Sequence, residues 1–241
     1  MTMTDITFIA ALDGTEQKYV QFLPDSFDAD VSHDVLIALH GHGSDRWLFA
    51  TGEEPGYVAC RDVAAENNMI FVSPDYRAVA SWMGPAAEAD IVQIINDLKE
   101  QFKVKKVFLT GSSMGGSASL TFAVLHPELI DGVASMNGTA NYLEFENFYE
   151  TIGNAFGGSK LEIPLEYKNR SAEYWPEKLT MPIGFVLSGK DTSVPPDSAM
   201  RLACVLKAMG HPNVKIIYRP ELGHGTDYED VRAILEFIIG C

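Results

Sequence analysis

The chain has 241 residues, 46% hydrophobic and 21% charged, which is long enough to bury a full core and ordinary for a globular protein. Its formal net charge is −15, and a surface that binds phosphates needs clustered Lys and Arg. Nucleic acid and anionic membrane are therefore excluded as expected partners, and solubility accounts for the charge.

The N-terminus, "MTMTDITFIAALDG", has no basic start followed by an apolar core. No signal peptide is read there, so the chain as given reads as cytoplasmic, or as secreted if a leader was removed. No apolar run approaches membrane-spanning length. "ITFIAA" and "QKYVQFLP" flank "LDGTE", and Asp-Gly between two strand-like runs signals a hairpin. "DVLIALH" (34–40) is a nearly continuous apolar run, as in a strand buried on both faces, and it ends in the glycine-rich "GHGSD". "YVACRDVAAENN" has helical spacing, and "MIFVSPD" (69–75) is the next buried strand. "PAAEADIVQIINDLKEQF" opens with Pro85 and carries Ile91, Ile94, Ile95 and Leu98 at helical intervals.

"KKVFLT" is a strand, followed by "GSSMGG" and a helix through "SLTFAVLH". "IDGVASMNG", "PIGFVLSG" and "VKIIYRP" are further strands, with helices in "PPDSAMRLACVLKAMG" and "DYEDVRAILEFII". Strands alternating with helices imply parallel pairing with right-handed crossovers. The expected fold is α/β: a mostly parallel twisted sheet with an antiparallel N-terminal hairpin and helices on both faces. Residues 1–241 read as a single domain. The rhythm stops over 138–180, a stretch rich in aromatics (Tyr142, Phe145, Phe148, Tyr149, Phe156, Tyr167, Tyr174, Trp175). That stretch is expected to be a cap-like insertion that shapes a substrate pocket, fills core, or both.

A serine hydroxyl is a poor nucleophile at neutral pH, and needs a base that is itself oriented by an acid. A tight strand-to-helix turn exposes it when small residues stand two before and two after. Around Ser113 those residues are Gly111 and Gly115; around Ser112 they are Thr110 and Met114, and Met114 is too bulky. Ser117 lies past the turn. Ser113 is therefore the candidate nucleophile. Asp191 stands two residues beyond "PIGFVLSG", while Asp197 is better placed for the first turn of the following helix. His224 stands between glycines after "VKIIYRP", whereas His33, His126 and His211 suit surface or capping roles. The order Ser113, Asp191, His224 is that of an α/β-hydrolase triad. The expected oxyanion donors are the Met114 N–H and, from the "HGHGS" loop, the N–H of His42, with Gly43 as the alternative. His40 is expected to hold that loop. His40 and His42 share a face of an extended segment, but no third ligand completes a metal site. The three cysteines, Cys60, Cys204 and Cys241, form neither a disulfide framework nor a CxxC motif, and read as inert. No metal or cofactor is expected.

Across 34–239 these residues resemble the α/β-hydrolase superfamily. "LHGHGSDRW", "GSSMGG", "RSAEYWPEKLTMPIGFVLSGKDTSVPP" and "ELGHGT" are similar to single-domain esterases related to prolyl-oligopeptidase catalytic domains, feruloyl and acetylxylan esterases, and polyhydroxyalkanoate depolymerases. The resemblance implies a serine hydrolase acting on an ester through an acyl-enzyme. The chain has no room for a propeller, a departure that argues against peptidase activity. The expected partner is a small-molecule or carbohydrate ester, and the sequence leaves the oligomeric state open. A peptidase or amidase with the same triad, and a non-catalytic binding protein of this fold, remain the alternatives.

Four residues are expected near the substrate from position alone. Tyr76, Arg77 and Trp82 lie in the loop after the 69–75 strand; Trp82 either stacks on a sugar or aromatic ring or packs on the next helix, and Arg77 binds a carboxylate or forms a surface ion pair. Asn137 either contacts substrate or shapes a turn.

Overall fold

A computed structural model describes all 241 residues. The hairpin is β1 (Thr2–Ile9) and β2 (Glu16–Leu23), closed by a turn in which Gly14 takes φ +72. β2 also pairs antiparallel with β4 (Ile70–Pro74). β3 (His33–Leu39), β5 (Val104–Ser112), β6 (Gly132–Met136), β7 (Ile183–Ser188) and β8 (Val214–Arg219) continue in parallel. The sheet order is β1-β2-β4-β3-β5-β6-β7-β8, so β3 and β5, which lead to the chemistry-bearing loops, lie side by side in the middle.

The apolar strands are buried on both faces because their side chains alternate between two cores. Leu36, Ala38, Phe108 and Ala134 face one core, with α1 (Trp47–Thr51), α2 (Pro55–Glu66) and α8 (Tyr228–Ile239). Val35, Ile37, Leu39, Val107 and Leu109 face the other, with α3 (Pro85–Gln101), α4 (Met114–Leu125) and α7 (Asp197–Ala208). Helices α2 and α3 each begin at a proline, whose missing N–H costs nothing in the first turn. Helix α4 is buried through Val124, as its nearly all-apolar or small sequence requires.

Residues 138–180 form α5 (Tyr149–Phe156), α6 (Pro164–Asn169) and two 3-10 turns. Their aromatics divide. Tyr142, Phe145, Phe156 and Tyr167 join the core around α4, while Phe148, Tyr149 and Tyr174 are exposed. Arg170 ties this segment down: it reaches Glu166 at 2.6 Å, Glu88 of α3 at 2.7 Å and the Met83 carbonyl at 2.7 Å. Glu88 also takes His126, at the end of α4, at 2.8 Å. His33 is buried rather than superficial, with its ring stacked on Phe27 and its nitrogens 3.1 Å from the Asn68 and Asp28 carbonyls.

Candidate active site

Strand β5 ends at Ser112 and α4 begins at Met114, so Ser113 alone makes the turn, at φ +59 and ψ −119. That conformation is strained for a residue with a Cβ. It is held because the Ser113 N–H donates to the Met136 carbonyl at 2.8 Å and the Ser113 carbonyl accepts from the Ser117 N–H at 3.0 Å. The turn is tight enough to exclude side chains on either side. A Cβ on Gly111 would stand 2.5 Å from the Gly115 carbonyl carbon and 2.8 Å from the Leu39 oxygen. A Cβ on Gly115 would stand 2.6 Å from the Leu39 carbonyl carbon and 2.8 Å from the His40 oxygen. Ser112 stays in the strand, paired in register with Met136.

Asp191 and His224 meet at the ends of β7 and β8. The Asp191 side chain is 1% exposed, and its Oδ2 lies 2.6 Å from His224 Nδ1. Its Oδ1 accepts the N–H groups of Ser193 and Val194, each at 2.9 Å. The two loops are stitched by Lys190 N–H to the Leu222 carbonyl and Gly189 N–H to the Arg219 carbonyl, both 2.8 Å. The His224 side chain is about one-third exposed, and no hydrogen bond joins it to the Ser113 hydroxyl. Bonds of that kind commonly tighten only with substrate in place.

The loop after β3 lies against the nucleophile: a Cβ on Gly41 would be in ordinary contact, 3.6 Å, with the Ser113 Cβ. Within this loop the Gly43 N–H donates to the Val79 carbonyl at 2.8 Å, so it is not available as an oxyanion donor. The His42 N–H has no protein acceptor. The Met114 N–H is the first of α4 and has none within its helix. The loop is fixed by His40, whose ring nitrogens reach the Gly41 and Asp75 carbonyls at 2.8 and 3.0 Å. The Asp75 carboxylate accepts from Arg46, through its backbone N–H at 2.9 Å and its guanidinium at 3.0 Å. The His42 ring stands between Trp82 and Phe148, at centroid distances of 5.9 and 4.8 Å, and burial lowers its pKa.

The four residues expected at the substrate from position are each engaged with other protein groups. Trp82 has no exposed surface and packs among His42, Tyr142, Phe145 and Phe148. Tyr76 is 1% exposed and donates its hydroxyl to the His40 carbonyl at 2.6 Å. Arg77 is held between Asp13 and Asp90, each at 2.6 Å, so its guanidinium is already paired with two carboxylates. Asn137 is 3% exposed, takes φ +49, and donates Nδ2 to the Gly225 carbonyl at 2.7 Å. For Tyr76, Arg77 and Trp82 the backbone contributes: all three, with Met83, have positive φ, in a loop tied to the 40–46 loop through the Gly43 N–H to Val79 carbonyl bond and the Tyr76 hydroxyl. Phe148, exposed at the edge of this aromatic group, is not separated from the buried Phe145 by anything in the spacing of the aromatic run. A cavity of about 400 Å³ between the 77–87 loop and α5 includes none of Ser113, Asp191 and His224.

Over residues 63–239 the sequence matches the family model described as "Prolyl oligopeptidase family". The matched segment holds Ser113, Asp191 and His224 but begins after the 40–46 loop. A curated protein named "Probable feruloyl esterase C", from Aspergillus flavus, is 27% identical over 129 residues, 51% of this chain and 47% of its own. The match thus spans about half the length of that relative. Among solved structures, a fluorophosphonate-binding serine hydrolase of Staphylococcus aureus superposes with a TM-score of 0.74 at 16% identity, covering 98% of each chain. An acylaminoacyl peptidase of Pyrococcus horikoshii gives 0.71 at 17% identity, covering 98% of this chain and 40% of its own. At these identities the structural likeness is one of fold.

Proposed function

We propose, on the premise that the chain belongs to the prolyl oligopeptidase family and is a serine hydrolase, that it hydrolyses carboxylic esters through an acyl-enzyme at Ser113. The observation that carries the reading is the 2.6 Å bond between a buried, fully engaged Asp191 and His224, beside a strained serine turn. Asp191 Oδ2 accepts a hydrogen bond from the Nδ1–H of His224, which keeps the proton on Nδ1 and leaves Nε2 bare. Nε2 takes the proton of Ser113 Oγ as that oxygen attacks the carbonyl carbon. The Met114 and His42 N–H groups receive the charge that develops on the carbonyl oxygen, helped by the N-terminus of α4. A neutral His42 ring serves here, because the work falls to its backbone donor. The protonated Nε2 then gives its proton to the leaving oxygen, and water activated by the same nitrogen clears the acyl group from Ser113.

An ester substrate is favoured by the sequence match to a feruloyl esterase, and acyl or feruloyl esters of carbohydrates are the proposed class. The second reading, a peptidase or amidase, is favoured by the family itself. Turnover of matched esters and anilides separates the two. The Ser113→Ala variant is expected to abolish turnover and Ser112→Ala to retain most of it. The reverse result overturns the assignment of the nucleophile.

A further inference from the structure

Two consecutive residues of the 138–180 segment bridge the loops on either side of Ser113. Asn147 Nδ2 donates to the Thr192 and Ser193 carbonyls, both at 2.9 Å, and so grips the loop that holds Asp191. Phe148 turns to φ +58 and lays its ring 4.8 Å from that of His42, on the loop after β3. Between β3 and β7 stand only β5 and β6, so the pair crosses the rim of the sheet beside the nucleophile.

Phe148 belongs to an aromatic group whose other members face inward. Trp82, at 5.2 Å, is fully buried; Phe145, at 6.4 Å, is 7% exposed; and Phe148 is 36% exposed. It is thus the open face of an otherwise closed apolar stack. That face adjoins the residue whose N–H is the proposed oxyanion donor. A carbonyl oxygen bound about 3 Å from the His42 nitrogen brings the carbonyl carbon to this loop, and a substituent that extends along the His42 ring meets the Phe148 ring, 4.8 Å from it.

Two substituents compete for that place, and the leaving group is committed to His224, which must protonate it. His224 arrives from the loop into α8, and α8 covers the opposite face of the sheet from the 138–180 segment. The group that stays on Ser113 therefore faces Phe148. Building on the esterase reading above, we propose that Phe148 forms the wall of the acyl subsite and selects extended apolar or aromatic acyl groups over acetyl.

The test uses phosphonofluoridates, which share fluoride as leaving group and differ in the substituent on phosphorus, methyl against phenylpropyl. Ser113 Oγ bonds to phosphorus, fluoride departs and His224 takes the serine proton, so the rate of labelling reads the acyl side without any turnover. The wild-type chain is expected to label faster with the phenylpropyl probe. Phe148→Ala lowers the phenylpropyl-to-methyl rate ratio about tenfold, as expected when an aromatic contact and its apolar area are lost. Phe148→Leu falls between, with thermal midpoints recorded for both variants. An unchanged ratio in Phe148→Ala overturns the proposal. So does an equal loss for both probes, which marks damage to the oxyanion loop. A second probe pair keeps the methyl substituent and exchanges fluoride for a para-nitrophenoxy leaving group; an effect of Phe148→Ala confined to that pair puts Phe148 on the alcohol side and overturns the proposal too. A wild-type chain that labels with neither probe overturns the esterase reading as well.

Discussion

Replacing Gly115 with alanine asks whether the serine turn is pressed against β3 as tightly as the geometry says. The new Cβ would stand 2.6 Å from the Leu39 carbonyl carbon, about 1 Å short of van der Waals separation. Its neighbours are backbone atoms of Leu39 and His40, so no side chain can swing aside. Either α4 lifts or the end of β3 withdraws, and both change the spacing between the Met114 and His42 N–H groups. A displacement of about 1 Å in a preorganised site costs on the order of a hundredfold in kcat. Overpacking of a central strand costs about 1–3 kcal/mol in stability, which lowers the Tm of a chain this long by roughly 2–4 °C for each kcal/mol. Steady-state hydrolysis of a soluble activated ester, with calorimetry, measures both. Gly153→Ala, in α5, is the control: its Cβ meets nothing nearer than 3.4 Å, so turnover should hold and stability should rise by up to about 1 kcal/mol. Turnover of Gly115→Ala within about threefold of wild type, a loss under 1 kcal/mol in barrier, would refute the steric argument.

Asn137→Ala removes the bond to the Gly225 carbonyl next to His224, and should lower kcat about tenfold with KM little changed. A raised KM at constant kcat would instead mean that Asn137 touches substrate. Arg77→Leu strands Asp90, whose side chain is 1% exposed, and should cost about 3–5 kcal/mol. Burial raises the Asp90 pKa and Arg77 opposes that rise, so the variant carboxyl titrates higher still. A raised native pKa favours the protonated fold, so the loss should be smallest in acid and grow as pH rises through that pKa; a deficit that is flat with pH counts against the account. Alkylation of the native chain should modify Cys204 and Cys241, which are exposed, and spare Cys60, which is buried with its thiol pKa pushed up. Intact mass shows two adducts before unfolding and three after. A third native adduct contradicts the packing of α2.

The fold was readable because its rules are local. Apolar runs such as 34–40 have no polar face to give to solvent, and α3 repeats its isoleucines at the helical period. The candidate nucleophile was readable for the same kind of reason, since a sharp turn needs small neighbours and only Ser113 has them at the right distance. What was not readable is which way side chains point when the backbone departs from common conformations. Tyr76, Arg77, Trp82 and Met83 are not residue types that announce positive φ, and an extended loop through them would have aimed Trp82 outward. Its burial follows from partners at Tyr142, Phe145 and Phe148, more than fifty positions away. Phe148 gains its exposure by the same route, from a left-handed turn that its own identity does not signal.

The saturated carboxylate of Asp191 also limits what can replace it. Its Oδ1 receives two backbone N–H groups, so that position must be an oxygen. An asparagine at 191 would therefore keep its carbonyl on those amides and turn its NH2 toward His224. Facing a donor, Nδ1 would have to accept, and the single proton of a neutral imidazole would shift to Nε2. The ring would then present a hydrogen to Ser113 where a lone pair is needed. In such a variant, two amides remote from the serine would decide which nitrogen of the histidine is basic.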